Sequence, residues 1–250
     1  MAAEVSAPDS EPTEKSAKTS ASQHTRAHRS VTAGRVLVAI MLALAVFALY
    51  CYYSVQQLKH WITPSWDLAI FTQMAQAYSH FDMPIVQIKG TDFNLWGDHF
   101  HPILVLLGPV YAVFPSPLTL LVVQNFMIAA SVYMMVRFTQ RACALSNIKP
   151  EPAGTFVGVL LGAAFALSYG VQQAVAAQFH EVAFALPFLC GALGNLVLAG
   201  RINADERSRY IIRACLWAAP LAFVKEDMGV TAAMIGIVAF IRTGWIRKGL

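Results

Sequence analysis

Residues 36–55, VLVAIMLALAVFALYCYYSV, form a run of 20 without a single charge. As a helix they rise about 30 Å, the thickness of the hydrocarbon core of a bilayer. A run of this length and uniformity belongs to a membrane crossing, and composition agrees. The 250 residues are 57% hydrophobic and 13% charged, whereas about a quarter of a soluble domain is charged. Only 1–35 departs from this pattern: Ser, Ala, Thr, Glu and Lys dominate there, with little to bury, and the stretch reads as a disordered tail. The long hydrophilic lead, and the absence of a small-x-small cleavage site after the apolar run, make 36–55 an uncleaved signal anchor.

Further apolar stretches run over 101–114, 117–136, 154–171, 182–199, 210–224 and 228–241. Basic residues sort them. If 117–136 is the second crossing, 15 of the 18 Lys and Arg fall on the cytoplasmic side, and only Lys59, Lys89 and Lys225 lie outside. Counting 101–114 as a crossing would move ten of those 15 outward, against the positive-inside rule. That stretch is short, about 21 Å as a helix, and carries Gly108-Pro109 in its middle. It suits a juxtamembrane or re-entrant helix within an outer loop, 56–116. The expectation is an all-α integral membrane protein with about six transmembrane helices, 36–55, 117–136, 154–171, 182–199, 210–224 and 228–241, and both termini cytoplasmic. The last two are short and borrow flanking residues, with Arg213 snorkelling. Four cysteines without Cys-x-x-Cys spacing give no disulfide framework or zinc knuckle. The net charge of +4 is spread over cytoplasmic helix ends, which excludes nucleic-acid binding and fits contact with anionic lipid.

Polar residues that interrupt apolar sequence gather on the outer side. The first outer loop holds WDLAIFTQ, with Asp67, and GDHFHP, with Asp98, His99 and His101. The second ends in His180 and Glu181, and the third is Lys225, Glu226 and Asp227. Ionisable groups at a membrane boundary are costly unless paired or hydrated, which marks them as functional candidates. The tight VKEDMG turn must pair its charges or ligate something, unless all three face water. In 66–81, apolar or aromatic residues at 66, 70, 71, 74, 75, 78 and 81 have helical spacing. Asp67 then lies in a first turn, where it serves equally as a dipole-favoured start residue or as an acid. Asp98, His99, His101, His180 and Glu181 offer ligands enough for a divalent cation, yet match no strict metal signature. Hydrogen bonding to a phosphate or sugar is an equal use for them.

Taken together, WDLAIFTQ, GDHFHPILVLLGPVYAVFPSPLTLLVVQ, FHEVAFALP and FVKEDMGVT resemble a bacterial family of membrane proteins of unknown function, numbered 2079. Its architecture is similar to the GT-C glycosyltransferases, which take sugar from a polyprenyl-phosphate carrier at the outer face of the plasma membrane. The resemblance implies that Asp67 is the catalytic acid of the first outer loop and that Glu181 is a second acid between the third and fourth helices. It also implies a juxtamembrane helix at 101–114 and places Lys225 as the lysine at the outer end of the fifth helix. Asp67 would act as general base on the acceptor, with a divalent cation, Mg or Mn, held by Asp67, Asp98 and His101. Asp98, His99, His101, His180, Lys225, Glu226 and Asp227 would bind substrate and the departing lipid phosphate.

The chain departs from that pattern in its single first-loop acid, its DHFH cluster and its length. It is expected to be the N-terminal half of a GT-C fold, truncated or completed by a second membrane chain. Two other readings compete: a transporter or other non-enzymatic membrane protein, and a metal-binding membrane hydrolase. Against transport, the spans carry almost no charge at midplane depth.

Overall fold

A computed structural model describes residues 14–62, 66–146 and 151–243, without the side chains of residues 14–32, 151 and 204. Met1–Val38 and Ala39–Leu250 form separate units, and the site lies in the second. Helix accounts for 82% of the structure, and the described residues contain no strand. The fold class expected from the sequence, all-α, is therefore the one observed.

The first helix, α1 (Glu14–His60), takes in residues 14–35, read from the sequence as unordered tail. Ala, Glu, Lys and Gln favour a helix there, and no proline interrupts them. Residues 1–13 lie outside the described residues. After α1 come α2 (Trp66–Ser79), α3 (Leu107–Val113), α4 (Pro117–Leu145), α5 (Glu151–Ala166), α6 (Tyr169–Ala176), α7 (Ala185–Ala199), α8 (Ala204–Ala218) and α9 (Met228–Arg242). Short 3-10 turns at Pro102–Leu106, Glu181–Phe184 and Ala219–Phe223 lead into or out of the longer helices.

Among the described residues, three helices are long and apolar enough to cross a membrane: Ala33–His60, Pro117–Leu145 and Glu181–Ala199. They coincide with the first, second and fourth expected crossings. The third expected crossing is a bent pair, Pro152–Ala166 with Tyr169–Ala176, turned by 43°. Ser168 causes the bend: its extended backbone interrupts the helix, and the Gln172 side chain donates to the freed Leu167 carbonyl at 2.6 Å. The fifth and sixth expected crossings are shorter than a full span. Pro220, which has no N–H to continue a helix, turns the end of α8 into the tighter Ala219–Phe223 segment. The first half of α8 is charged, and α9 has only 15 residues. Residues 101–114 form the Pro102–Leu106 turn and α3, too short for a crossing.

Packing centres on α4. Ser116 caps it by accepting from the Leu118 N–H at 3.2 Å, with Pro117 at the first position. Helices α5 and α7 pack on α4, α8 packs on α7, and α9 on α8. One apolar cluster joins Val46 and Tyr50 of α1 to Ile128 and Val132 of α4 and to Val171 and Val175 of α6. The larger cluster includes Phe71, Met74 and Tyr78 of α2, Leu104 and Leu107, and Phe179. Helix α2 buries Leu68, Ile70, Phe71, Met74, Ala75 and Tyr78; the expected members Trp66 and Phe81 instead stand exposed. Helix α3 lies so close to α2 that a Cβ on Gly108 would come within 2.7 Å of the Tyr78 carbonyl oxygen. This contact fixes the DHFH segment, just before α3, against α2.

Candidate functional site

The site is built around an aromatic stack. Phe71 of α2 meets the Phe179 ring edge-on at 5.2 Å and the His101 ring at 5.8 Å. Asp67 stands one helical turn before Phe71, and His180 and Glu181 directly follow Phe179. Three separate chain segments therefore bring their polar residues to one place.

Gln124 of α4 sets the position of the Phe179 segment. Its side chain is buried, donates to the Gln178 carbonyl at 2.5 Å and accepts from the His180 N–H at 2.7 Å. Gln178 adopts φ 73°, a left-handed conformation that costs a non-glycine residue energy and needs support from its surroundings. The Gln124 amide supplies that support. From Gln57 of α1, a second buried amide donates to the Ala176 carbonyl at 2.8 Å.

Four acid–base pairs decorate this end of the molecule. His180 Nδ1 lies 3.5 Å from Asp67 Oδ2, both side chains partly open to solvent. Lys225 donates to Glu181 Oε1 at 2.8 Å, and the Glu181 side chain is only 7% exposed. That bond pushes the Lys225 pKa up. Glu226 accepts from the His99 ring at 2.8 Å and from the Phe100 N–H at 3.1 Å. Its own backbone N–H and these donors pull its carboxyl down to about 2. Asp98 pairs with Lys89, and that hydrogen bond lowers its pKa.

His101 differs from all of these. It is 2% exposed, and neither ring nitrogen has a hydrogen-bond partner. Burial lowers its pKa, opposed first by its own backbone and then by the nearby Glu181 and Glu226 carboxylates. A neutral imidazole carries one donor and one acceptor, so two hydrogen-bonding positions here are left for a ligand or water.

The structure thus gathers Asp67, His99, His101, His180, Glu181, Lys225 and Glu226. Asp98 is turned onto Lys89, whose ammonium also lies 4.9 Å over the Phe93 ring. Asp227 is exposed at the start of α9 and faces Lys225 only through its field. Asp67, Asp98 and His101 do not come together as a ligand set, and among the described residues no three His, Cys, Asp or Glu side chains form a group fit to hold a metal ion. The donors are consumed in pairs, which leaves no convergent triad for a cation.

Gln124 and the φ of Gln178 were not singled out from sequence. The available signal was Gln124-Asn125 inside an otherwise apolar span, since a polar residue at such depth has a reason to be there. A cavity of about 530 Å³ borders α2, with Trp61, Trp66, Ala69, Thr72 and Gln73 in its wall and none of the paired site residues among its lining. The larger cavity lies between α4, α5 and α7 and contains none of the site residues.

No curated protein and no solved structure matches the chain. Residues 57–250 match the family model described as predicted membrane protein DUF2079. The match takes in every residue of the site, and its description agrees with the three apolar helices of spanning length. By this match over most of its length, the chain belongs to that family of membrane proteins of unknown function.

Proposed function

We propose that this protein is a group-transfer enzyme of the bacterial plasma membrane, working at the outer face on a sugar linked to a polyprenyl phosphate. In this reading the bent α5–α6 pair, α8 with its extension and α9 complete a six-crossing half of a GT-C-like fold. Both termini are then cytoplasmic, and further helices come from a second chain or segment. The observation that carries the proposal is His101, a buried imidazole without a partner, enclosed by acid–base pairs from three loops.

The chemistry follows from the pairs. Asp67, held by His180, accepts the proton of the acceptor hydroxyl as that oxygen attacks the anomeric carbon. The bond from that carbon to the lipid phosphate breaks, and the phosphate oxygen leaves with the electron pair. Lys225 gives one N–H to Glu181 and keeps two for the departing phosphate, while His101 adds a neutral donor beside it. The 530 Å³ cavity beside α2, with Trp61 and Trp66 exposed in its wall, suits the isoprenoid portion. The residues do not form a metal site, and no step here uses one.

The test incubates the purified protein in lipid with polyprenyl-phosphate sugars and measures released polyprenyl phosphate by mass spectrometry. Wild type should release it, and Asp67→Asn should be slower by about 10²–10⁴ while keeping its helical content. Equal release by both, or none by wild type, would overturn the assignment.

A further inference from the structure

Helices α5 and α7 both rest on α4 but hardly meet each other. Each is already as close to α4 as its backbone allows. A Cβ on Gly162 of α5 would lie 2.7 Å from a Val136 methyl group, and one on Gly194 of α7 would lie 2.5 Å from the Phe138 ring. The gap between α5 and α7 is therefore part of the packing and does not close by a small shift of either helix.

The gap is a groove of about 590 Å³. Phe138 and Cys143 line its floor, Leu161 and Leu193 stand in its walls, Thr139 adds a hydroxyl along α4, and Ser146 and Arg201 form its polar end. A groove this apolar within helices of spanning length has few partners to offer water, and left empty it would forfeit dispersion contacts. Hydrocarbon is the filling available in a bilayer.

Its polar end selects the kind of lipid. Arg201 is exposed and donates to Ser146 Oγ at 3.0 Å and to the Val197 carbonyl at 3.3 Å. Arg242 donates to the Leu196 carbonyl at 2.7 Å, and its Nη1 stands 3.5 Å from where a Cβ on Gly200 would be. Two guanidiniums therefore meet at the end of α7, and their acceptors are neutral. Among the described residues neither forms an ion pair. Each has five N–H donors in a fork suited to phosphate, and capping the last α7 carbonyls uses only some of them.

We propose that this groove is a binding site for an anionic phospholipid, with one acyl chain along α4 between α5 and α7 and the phosphate on Arg201, beside Arg242. Along α4 the 22 residue steps from Gln124 to Ser146 rise about 33 Å. The lipid phosphate thus sits a bilayer's thickness from the Asp67 site, and this inference stands independently of the transferase reading.

The test places the full chain in nanodiscs of equal phosphatidylglycerol and phosphatidylcholine and counts retained lipid by native mass spectrometry. Wild type should retain one phosphatidylglycerol in preference to phosphatidylcholine. Arg201→Gln should weaken that preference about tenfold, the value of one charged hydrogen bond. Leu193→Trp, which puts bulk into the groove, should lose the retained lipid of either kind; if it does not fold, Leu161→Phe serves the same purpose. No preference in wild type, an unchanged preference in Arg201→Gln, retention despite a filled groove, or a lipid-free dimer would each overturn the proposal.

Discussion

At the Gln124 end of α4, Lys225 meets Glu181, Lys89 meets Asp98, and the rings of His99 and His180 face Glu226 and Asp67. At the Ser146 end the cations take neutral partners: Arg137 donates to Gln140 at 2.8 Å, Arg141 to the Tyr210 hydroxyl, Arg201 to Ser146 and Arg242 to Leu196. Arg141 and Arg213 each also lie 5.4 Å from the Tyr210 ring. The contrast has a physical origin. The Glu181 carboxylate is drawn out of water and must be cancelled by a neighbour, Lys225, while the other three pairs stand partly in solvent. At the other end the arginines are free to keep their charge because water and lipid headgroups supply the counter-charge.

The sharpest way to break this comparison is to remove one cation from each end. Lys225→Met leaves the Glu181 carboxylate buried and unpaired, and should cost about 3 kcal/mol in thermal unfolding followed by circular dichroism. Arg141→Gln should cost no more than about 1 kcal/mol, because Arg141 is itself exposed and its partner is a neutral hydroxyl. Equal losses would mean that the two ends do not differ in kind.

A smaller effect should come from the amide that holds the site together. Gln124→Leu leaves the His180 N–H and the Gln178 carbonyl without partners, and should lower stability by about 2 kcal/mol. Hydrogen exchange at the His180 amide should accelerate in the same variant. An unchanged exchange rate would remove Gln124 from its positioning role.

The smallest effect concerns pH. Burial lowers the His101 pKa beneath its ordinary value of 6.5, so the unfolded chain binds a proton there before the folded protein does. Stability then falls as pH drops through 6.5 toward the folded value and levels off below it. His101→Phe keeps the ring contact with Phe71 and should flatten that part of the pH profile, with little change near pH 8. A profile of unaltered slope would place the titration elsewhere.

Much of the fold was legible because hydropathy and helical spacing reside in contiguous residues. The charge-free run 36–55 falls within the first long apolar helix, and the apolar spacing of 66–81 marks α2, whose end lies at Ser79. The crossing count was less legible. The bend at Ser168, the break at Pro220 and the charged start of α8 depend on how each segment settles against its neighbours. Within the site, the residue types were visible and their partners were not. Asp67 proved to be both a first-turn residue and the neighbour of His180. Asp98 and His101, three positions apart with His99 in the same short motif, ended in opposite circumstances, one in an exposed ion pair and one sealed with no hydrogen-bond partner on its ring nitrogens.

Sequence alone established a helical membrane chain, the family to which its motifs point and the residue types that collect at one end. It did so because apolarity, charge and short motifs are properties of neighbouring residues. Tertiary structure decided that Glu226 reaches His99 across 127 positions, that Glu181 takes Lys225 across 44, and that α5 and α7 leave a groove between them. Those outcomes depend on the summed packing of distant helices on α4, where glycines such as Gly162 and Gly194 set the distance of approach, and no local stretch of sequence carries that sum.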